Sequence, residues 1–226
     1  MWHRRVTLAL ALLAPLLLAI CGPGTHAGWW HLWVGVGMFA GAMLAGLAAA
    51  GGAIVGLALP QLRARWTPVL LAAFVLGAAS AAVPLDYIHR LMTLPYINDI
   101  TTDPARPPQF SPPQPYPDYF GELQQIGYPD LQPLELALPP KAAFARAAQT
   151  ARDDGWDITA LDESAGTIQA VATTRWFGFQ DDVAIRITAS GAGSRVDVRS
   201  KSRLGRSDAG ANAQRIRHFL AEVAAR

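Results

Sequence analysis

The stretch RVDVRSKSRLGRSDAG, residues 195–210, places Arg195, Asp197, Arg199, Lys201 and Arg203 at alternate positions, with Arg206 just beyond. Side chains on a β-strand alternate between faces, so these five share one face while Val196 and Val198 take the other. Arg186 lies opposite Val183, Ile185 and Ile187 in the preceding apolar run and extends the cationic face. Arginine's planar fork matches a phosphate or a carboxylate in two parallel hydrogen bonds. Gly205, Arg206 and Ser207 then lead into a helix, whose unpaired first-turn N–H groups favour an anion. The chemistry expected here is anion binding by Arg186, Arg199, Lys201, Arg203, Arg206 and Ser207. A lipid phosphate, a wall carboxylate and an acidic protein segment all fit. Two ordinary roles compete. Asp153, Asp154, Asp157, Asp181 and Asp182 could neutralise the arginines in a solvated network, and Ser207 or Asp208 could cap the helix itself.

Catalytic chemistry has less support. Asp181 and Asp182 could supply a general base, but neighbours on a strand point to opposite faces. There is no GxSxG nucleophile motif, and His3, His26, His31, His89 and His218 are scattered without metal-ligand spacing. Cys21 is the single cysteine, which excludes an internal disulfide and a cysteine metal cluster. Asn98, Asp99 and Asp103 in NDITTD offer oxygen ligands without the spacing of a calcium loop, and read as turn residues. No metal or cofactor is expected.

The elements that must position these residues divide by composition. The chain has 226 residues and a formal charge of +2. Its first 93 residues hold five arginines and one aspartate; the remainder holds 14 Lys/Arg against 16 Asp/Glu, a net −2. The polar part is therefore not basic in bulk, and nucleic-acid binding is not expected. Three apolar stretches, about 6–22, 33–59 and 67–85, each approach the roughly 20 residues a spanning helix needs. The first, behind MWHRR, reads as a retained helix, with a signal peptide cleaved after Ala27 as its rival. Arg4, Arg5, Arg63 and Arg65 put the N-terminus and the 60–66 loop in the cytoplasm, which leaves the rest in the periplasm of a Gram-negative inner membrane. Gly37, Gly41, Ala45 and Ala49, then Gly52 and Gly56, form a small-residue stripe for helix packing, within this chain or with a partner subunit.

Residues 94–133 are crowded with proline, which excludes helix and central strand and predicts an extended strap pinned by Phe110, Tyr116, Tyr119, Phe120 and Tyr128. The apolar residues of LELAL alternate as in a half-buried strand, and Pro140 opens a helix closed by Gly155. Four further runs, separated by hairpin-sized turns, predict an antiparallel meander, and a last helix starts near Asp208. Residues 134–226 thus read as strand, helix, four strands, helix: a two-layer α+β domain with two helices covering one sheet face. Trp176, Phe177 and Phe179, at the tip of one hairpin, either fold onto the strap or meet lipid.

The blocks YINDITTDPARPPQF, TTRWFGFQDDVAIRI and SRVDVRSKSRLGRSDAGANAQRIRHFL resemble an uncharacterised domain-of-unknown-function family, number fourteen ninety-nine, over roughly residues 94–222. The resemblance implies a bacterial envelope-type protein, with relatives in plastid-bearing organisms, some of them with N-terminal spans. It brings no catalytic residues. Three functions are weighed: a non-enzymatic envelope module that binds an anionic ligand through the basic sheet face, a hydrolase or transferase acting on an envelope lipid or polymer, and a structural subunit of a membrane complex. The absence of a nucleophile–base or metal constellation ranks the enzyme below the binding module.

Overall fold

The computed structural model describes residues 2–226 and separates them into two compact units. The first contains α1 (Trp2–His26), α2 (Leu32–Ala58) and α3 (Pro60–Thr93), all three long and apolar enough to cross a membrane. Only Leu59 separates α2 from α3, so Arg63 and Arg65 lie in the first turns of a 34-residue helix rather than in a loop, and Pro68 is interior to it. The buried stripe of α2 is Gly35, Ala42, Ala45, Gly46, Ala49, Ala53 and Gly56. It is rotated from the expected one: a Cβ on Gly37 would meet nothing among the described residues within 4 Å, and one on Gly41 only Leu17. Against α3, a Cβ on Gly46 would lie 2.5 Å from the Gly77 carbonyl and a Cβ on Gly77 2.6 Å from that of Gly46. The glycines let two backbones touch.

The same unit takes in Arg175–Gly178, the tip of one sheet hairpin. Phe39 of α2 meets Trp176 and Phe177 edge-on, with centroids 5.6 and 6.1 Å apart. These two rings therefore pack on an apolar helix.

The second unit is α+β. Its strands are β1 (Asp99–Thr101), β2 (Leu134–Leu136), β3 (Asp157–Asp162), β4 (Thr167–Thr173), β5 (Gln180–Ser190) and β6 (Gly193–Ser202). The sheet is antiparallel in the order β1-β6-β5-β4-β3, and β2 pairs with the other half of β6. The meander β3 to β6 has the expected connections. Its core face carries Ile168, Ala170, Val183, Ile185, Ile187, Val196 and Val198, all within the main apolar cluster. Helices α5 (Pro140–Asp153) and α6 (Ala211–Ala225) cover that face with Ala143, Phe144, Ala147, Ala148, Ala213, Ile216, Phe219 and Val223. Trp156 stacks on Phe219 at 5.0 Å. Gly155, with φ +74°, ends α5 in the left-handed conformation that residues with a Cβ disfavour.

Two elements arise inside the proline-rich segment. The strand β1 pairs Asp99, Ile100 and Thr101 with Lys201, Ser200 and Arg199. Ile100 is fully buried, worth roughly 1.5–3 kcal/mol to so short a strand. The helix α4 (Asp118–Gly127) occupies the proline-free window between Pro117 and Pro129 and buries Phe120 and Gln124. The expectation that no helix forms in this segment fails there because proline forbids a helix only where it stands and just before it. Gln124 then finishes β1: its side-chain oxygen accepts from the Thr101 N–H at 2.9 Å, and its amide donates to the Thr101 carbonyl. Phe110, Phe120 and Tyr128 are buried as the strap reading requires, whereas Tyr119 is 61% exposed.

Candidate functional site

The sheet face that carries the arginines is covered, not open. Arg199 is fully buried. Its Nε and Nη2 donate to the two oxygens of Asp99 at 2.9 and 2.8 Å. Its remaining N–H groups reach the carbonyls of Pro108, Gln114 and Pro115 at 3.2–3.3 Å. The rings of Phe110 and Tyr116 lie 4.5 and 5.3 Å from the guanidinium carbon. Prolines remove backbone donors and leave carbonyls bare, and here a buried guanidinium takes up those acceptors. Arg199 fastens the strap.

Its neighbours do similar work. Arg186 donates to Asp197 at 2.9 Å, to Asp103 at 3.2 Å and to the Arg106 carbonyl at 2.8 Å. Arg195 donates to Asp197 and to Asp103, each at 3.0 Å in its closest contact; the hydrogen bond to Asp197 raises its already high pKa further. Arg203 grips Asp182 at 2.7 Å and Gln180 at 2.7 Å. Lys201 is 3.8 Å from Asp99. Of the acids expected to neutralise the patch, only Asp182 does so directly. Asp99, Asp103 and Asp197 do the rest. Asp99 and Asp103 stand at alternate positions with Thr101, the same period of two as the arginines, and that was the signal available in NDITTD beyond its turn-forming residues.

The start of α6 is also occupied. The Asp208 carboxylate accepts from the Gly210 and Asn212 N–H groups at 2.8 and 2.9 Å, and the Ser207 hydroxyl accepts from Ala209 N–H at 3.4 Å. The N-cap position itself is held by Gly210, not by Ser207 or Asp208; the Asp208 carboxylate takes the first-turn N–H of Asn212 from two residues ahead of that cap. Burial raises the Asp208 pKa, and these N–H bonds oppose the rise. Asp181 and Asp182 point to opposite faces, as neighbours must: Asp181 is buried against Arg215 at 2.6 Å and Asp182 faces Arg203. Among the described residues no group of three or more His, Cys, Asp or Glu is placed to hold a metal ion.

Arg206 stands apart. It is exposed and makes no ion pair among the described residues. It lines a groove of about 450 Å³ with Tyr96, Asn98, Tyr119, Phe120 and Gly205, within the usual range for ligand sites. Gly205, at φ +84°, turns the chain sharply before Arg206, and the Asn98 side-chain amide holds the turn by donating to the Gly205 carbonyl at 2.8 Å. Tyr96 and Tyr119 are 62% and 61% exposed, and Phe120 forms the buried wall. One wall is aromatic and the other cationic.

The fold and this surface define a class: a chain with three helices able to span a membrane, followed by an α+β domain whose sheet carries a helical layer on one face and an arginine-fastened strap on the other. A family model described as "Protein of unknown function (DUF1499)" matches residues 99–223, more than half of the chain, and the chain belongs to that family. The matched region contains Asp99, Asp103, Asp197 and Arg199 together. No curated protein matches the chain.

Proposed function

We propose that the protein is a membrane-anchored module of the bacterial cell envelope whose periplasmic domain holds an anionic ligand, with Arg206 as the principal contact. One observation carries this reading: Arg206 lines a groove and forms no ion pair among the described residues, while Arg186, Arg195, Arg199 and Arg203 are committed to carboxylates. The basic face thereby contracts from six residues to the end of the β6–α6 loop, with Lys201, half-buried, as a secondary cation. The pairing of Asp181 with Arg215 and of Asp182 with Arg203 supports binding over catalysis by these two carboxylates. Arg4 and Arg5 ahead of the first apolar run, with Arg63 and Arg65 between the second and the third, support the periplasmic placement of the domain.

Native mass spectrometry of the intact chain, released gently from its own membrane, tests the ligand. A discrete adduct present in the native protein and lost in Arg206→Glu is expected; an adduct retained in that variant places the ligand elsewhere. C-terminal phosphatase and fluorescent-protein fusions test the sidedness, and a fluorescent, phosphatase-negative fusion would overturn it.

A further inference from the structure

We infer that the groove at Arg206 takes the headgroup of an anionic phospholipid, with the phosphate on Arg206 and the glycerol–acyl junction against Tyr96 and Tyr119; this rests on the anion-binding reading above.

The walls argue for an amphipathic ligand. A small free anion is held by several converging donors. This groove offers one guanidinium, and the Asn98 amide beside it already donates to Gly205 and Ser202 carbonyls. The other wall is Tyr96, Tyr119 and Phe120, and Leu204, two residues before Arg206, is 60% exposed. Tyrosine and arginine both combine an apolar body with a polar tip, which suits them to the boundary between lipid and water.

Chain connectivity argues for lipid as the source. The apolar run of α3 stops at Leu85, and its last turns carry Asp86, His89 and Arg90, with Arg90 paired to Asp86 at 2.8 Å. Eight residues at 1.5 Å each carry the helix about 12 Å past its apolar end, across the headgroup layer. Tyr96 is the third residue after Thr93, so the chain can take it no more than about 10 Å from the helix end. Bulk attraction is not the mechanism, since residues 94–226 are net negative by 14 Lys/Arg against 16 Asp/Glu. A polybasic surface would collect many headgroups at once; a single unpaired arginine beside aromatic rings selects one.

The full chain in neutral detergent is titrated, with native mass spectrometry as readout, with dihexanoylphosphatidylglycerol, dihexanoylphosphatidylcholine and sn-glycerol 3-phosphate. Arg206→Glu, Arg206→Gln and Tyr119→Ala are compared with a charge reversal at the exposed Lys141 of α5, which corrects for lipid bound around the helices. The expected result is phosphatidylglycerol binding at least about tenfold tighter than that of either other probe. It should weaken by a similar factor in both Arg206 variants, weaken less in Tyr119→Ala and stay unchanged in Lys141→Glu. Glycerol 3-phosphate binding as tightly as phosphatidylglycerol, and lost with Arg206, overturns the lipid assignment and leaves the anion site standing. Equal binding of phosphatidylcholine overturns the selectivity for an anionic lipid. Binding unaffected by either Arg206 variant, or absent for all three probes, overturns the groove as an anion site together with the inference.

Discussion

Arg199 and Asp99 stand 100 residues apart in the chain and meet in two parallel hydrogen bonds of 2.9 and 2.8 Å, both side chains almost wholly buried. Removing one partner of such a pair leaves an uncompensated charge in a dry site. Arg199→Ala or Asp99→Ala is therefore expected to cost about 3–5 kcal/mol. Chemical denaturation of the full chain in detergent measures the loss, and limited proteolysis should show new cleavage within residues 104–117, where the freed carbonyls lie. A double replacement by apolar residues should cost less than either single change, since it strands no charge.

The Tyr128 hydroxyl is buried without a hydrogen-bond partner among the described residues. Burial, with Asp208 nearby, pushes its pKa up to about 12. Removing an orphaned buried hydroxyl costs nothing in lost hydrogen bonds and relieves a desolvation penalty. Tyr128→Phe is expected to leave the unfolding midpoint unchanged or raise it by the equivalent of up to about 1 kcal/mol, read by thermal denaturation; a fall would mean that the hydroxyl has a partner.

Asp154 is half-buried, with one oxygen buried and unpaired among the described residues, and burial raises its pKa while His218 at 3.3 Å opposes the rise. A carboxyl that binds its proton more tightly folded than unfolded destabilises the fold when ionised. The penalty is present above the folded pKa and fades as pH falls through it towards the ordinary carboxylate value near about 4. Asp154→Asn should therefore stabilise the protein at pH 7, with the advantage shrinking steadily as the pH is lowered towards 4. Melting curves at several pH values decide the point.

Within the helical unit, Gly46→Ala places a methyl group 2.5 Å from the Gly77 carbonyl, and both helices must part. A loss of about 1–3 kcal/mol is expected from the forced repacking. Gly37→Ala, nine residues earlier and on an open side of the same helix, should be neutral or slightly stabilising, as alanine is the better helix former. Thermal denaturation of the two variants in detergent separates the packed stripe from the open one.

The meander, α5 and α6 were legible because hydrophobic periodicity, a helix-opening proline and hairpin turns all agree there. What was not legible depended on pairing between distant residues. Asp99 and Asp103 look like turn formers until β1 is known to lie against β6. The helix α4 is hidden by flanking prolines that bracket it rather than break it. Arg195 and Arg199 share one side of β6, as the alternation of residue types predicts, and Arg203 follows just beyond the strand's end. The accessibility of that face could not be read, because whether a charge is covered depends on where a strap made of non-repeating residues comes to rest. Arg206 lies in the loop beyond β6 with no acid paired to it among the described residues, a property of the assembled surface that no local pattern encodes.

The antiparallel pairing of β1 with β6 also sets an order of events during synthesis. The first strand of the domain has no neighbour until the last strand has been made, and the strap cannot be fastened before Arg199 emerges. Contacts this distant in sequence form late, and their exposed precursors are vulnerable while they wait. A nascent chain halted before residue 193 would hold β1, the strap and its three aromatic anchors with nothing to close upon, so truncated products should be cleared by proteases, whereas a chain lacking only its final few residues should persist.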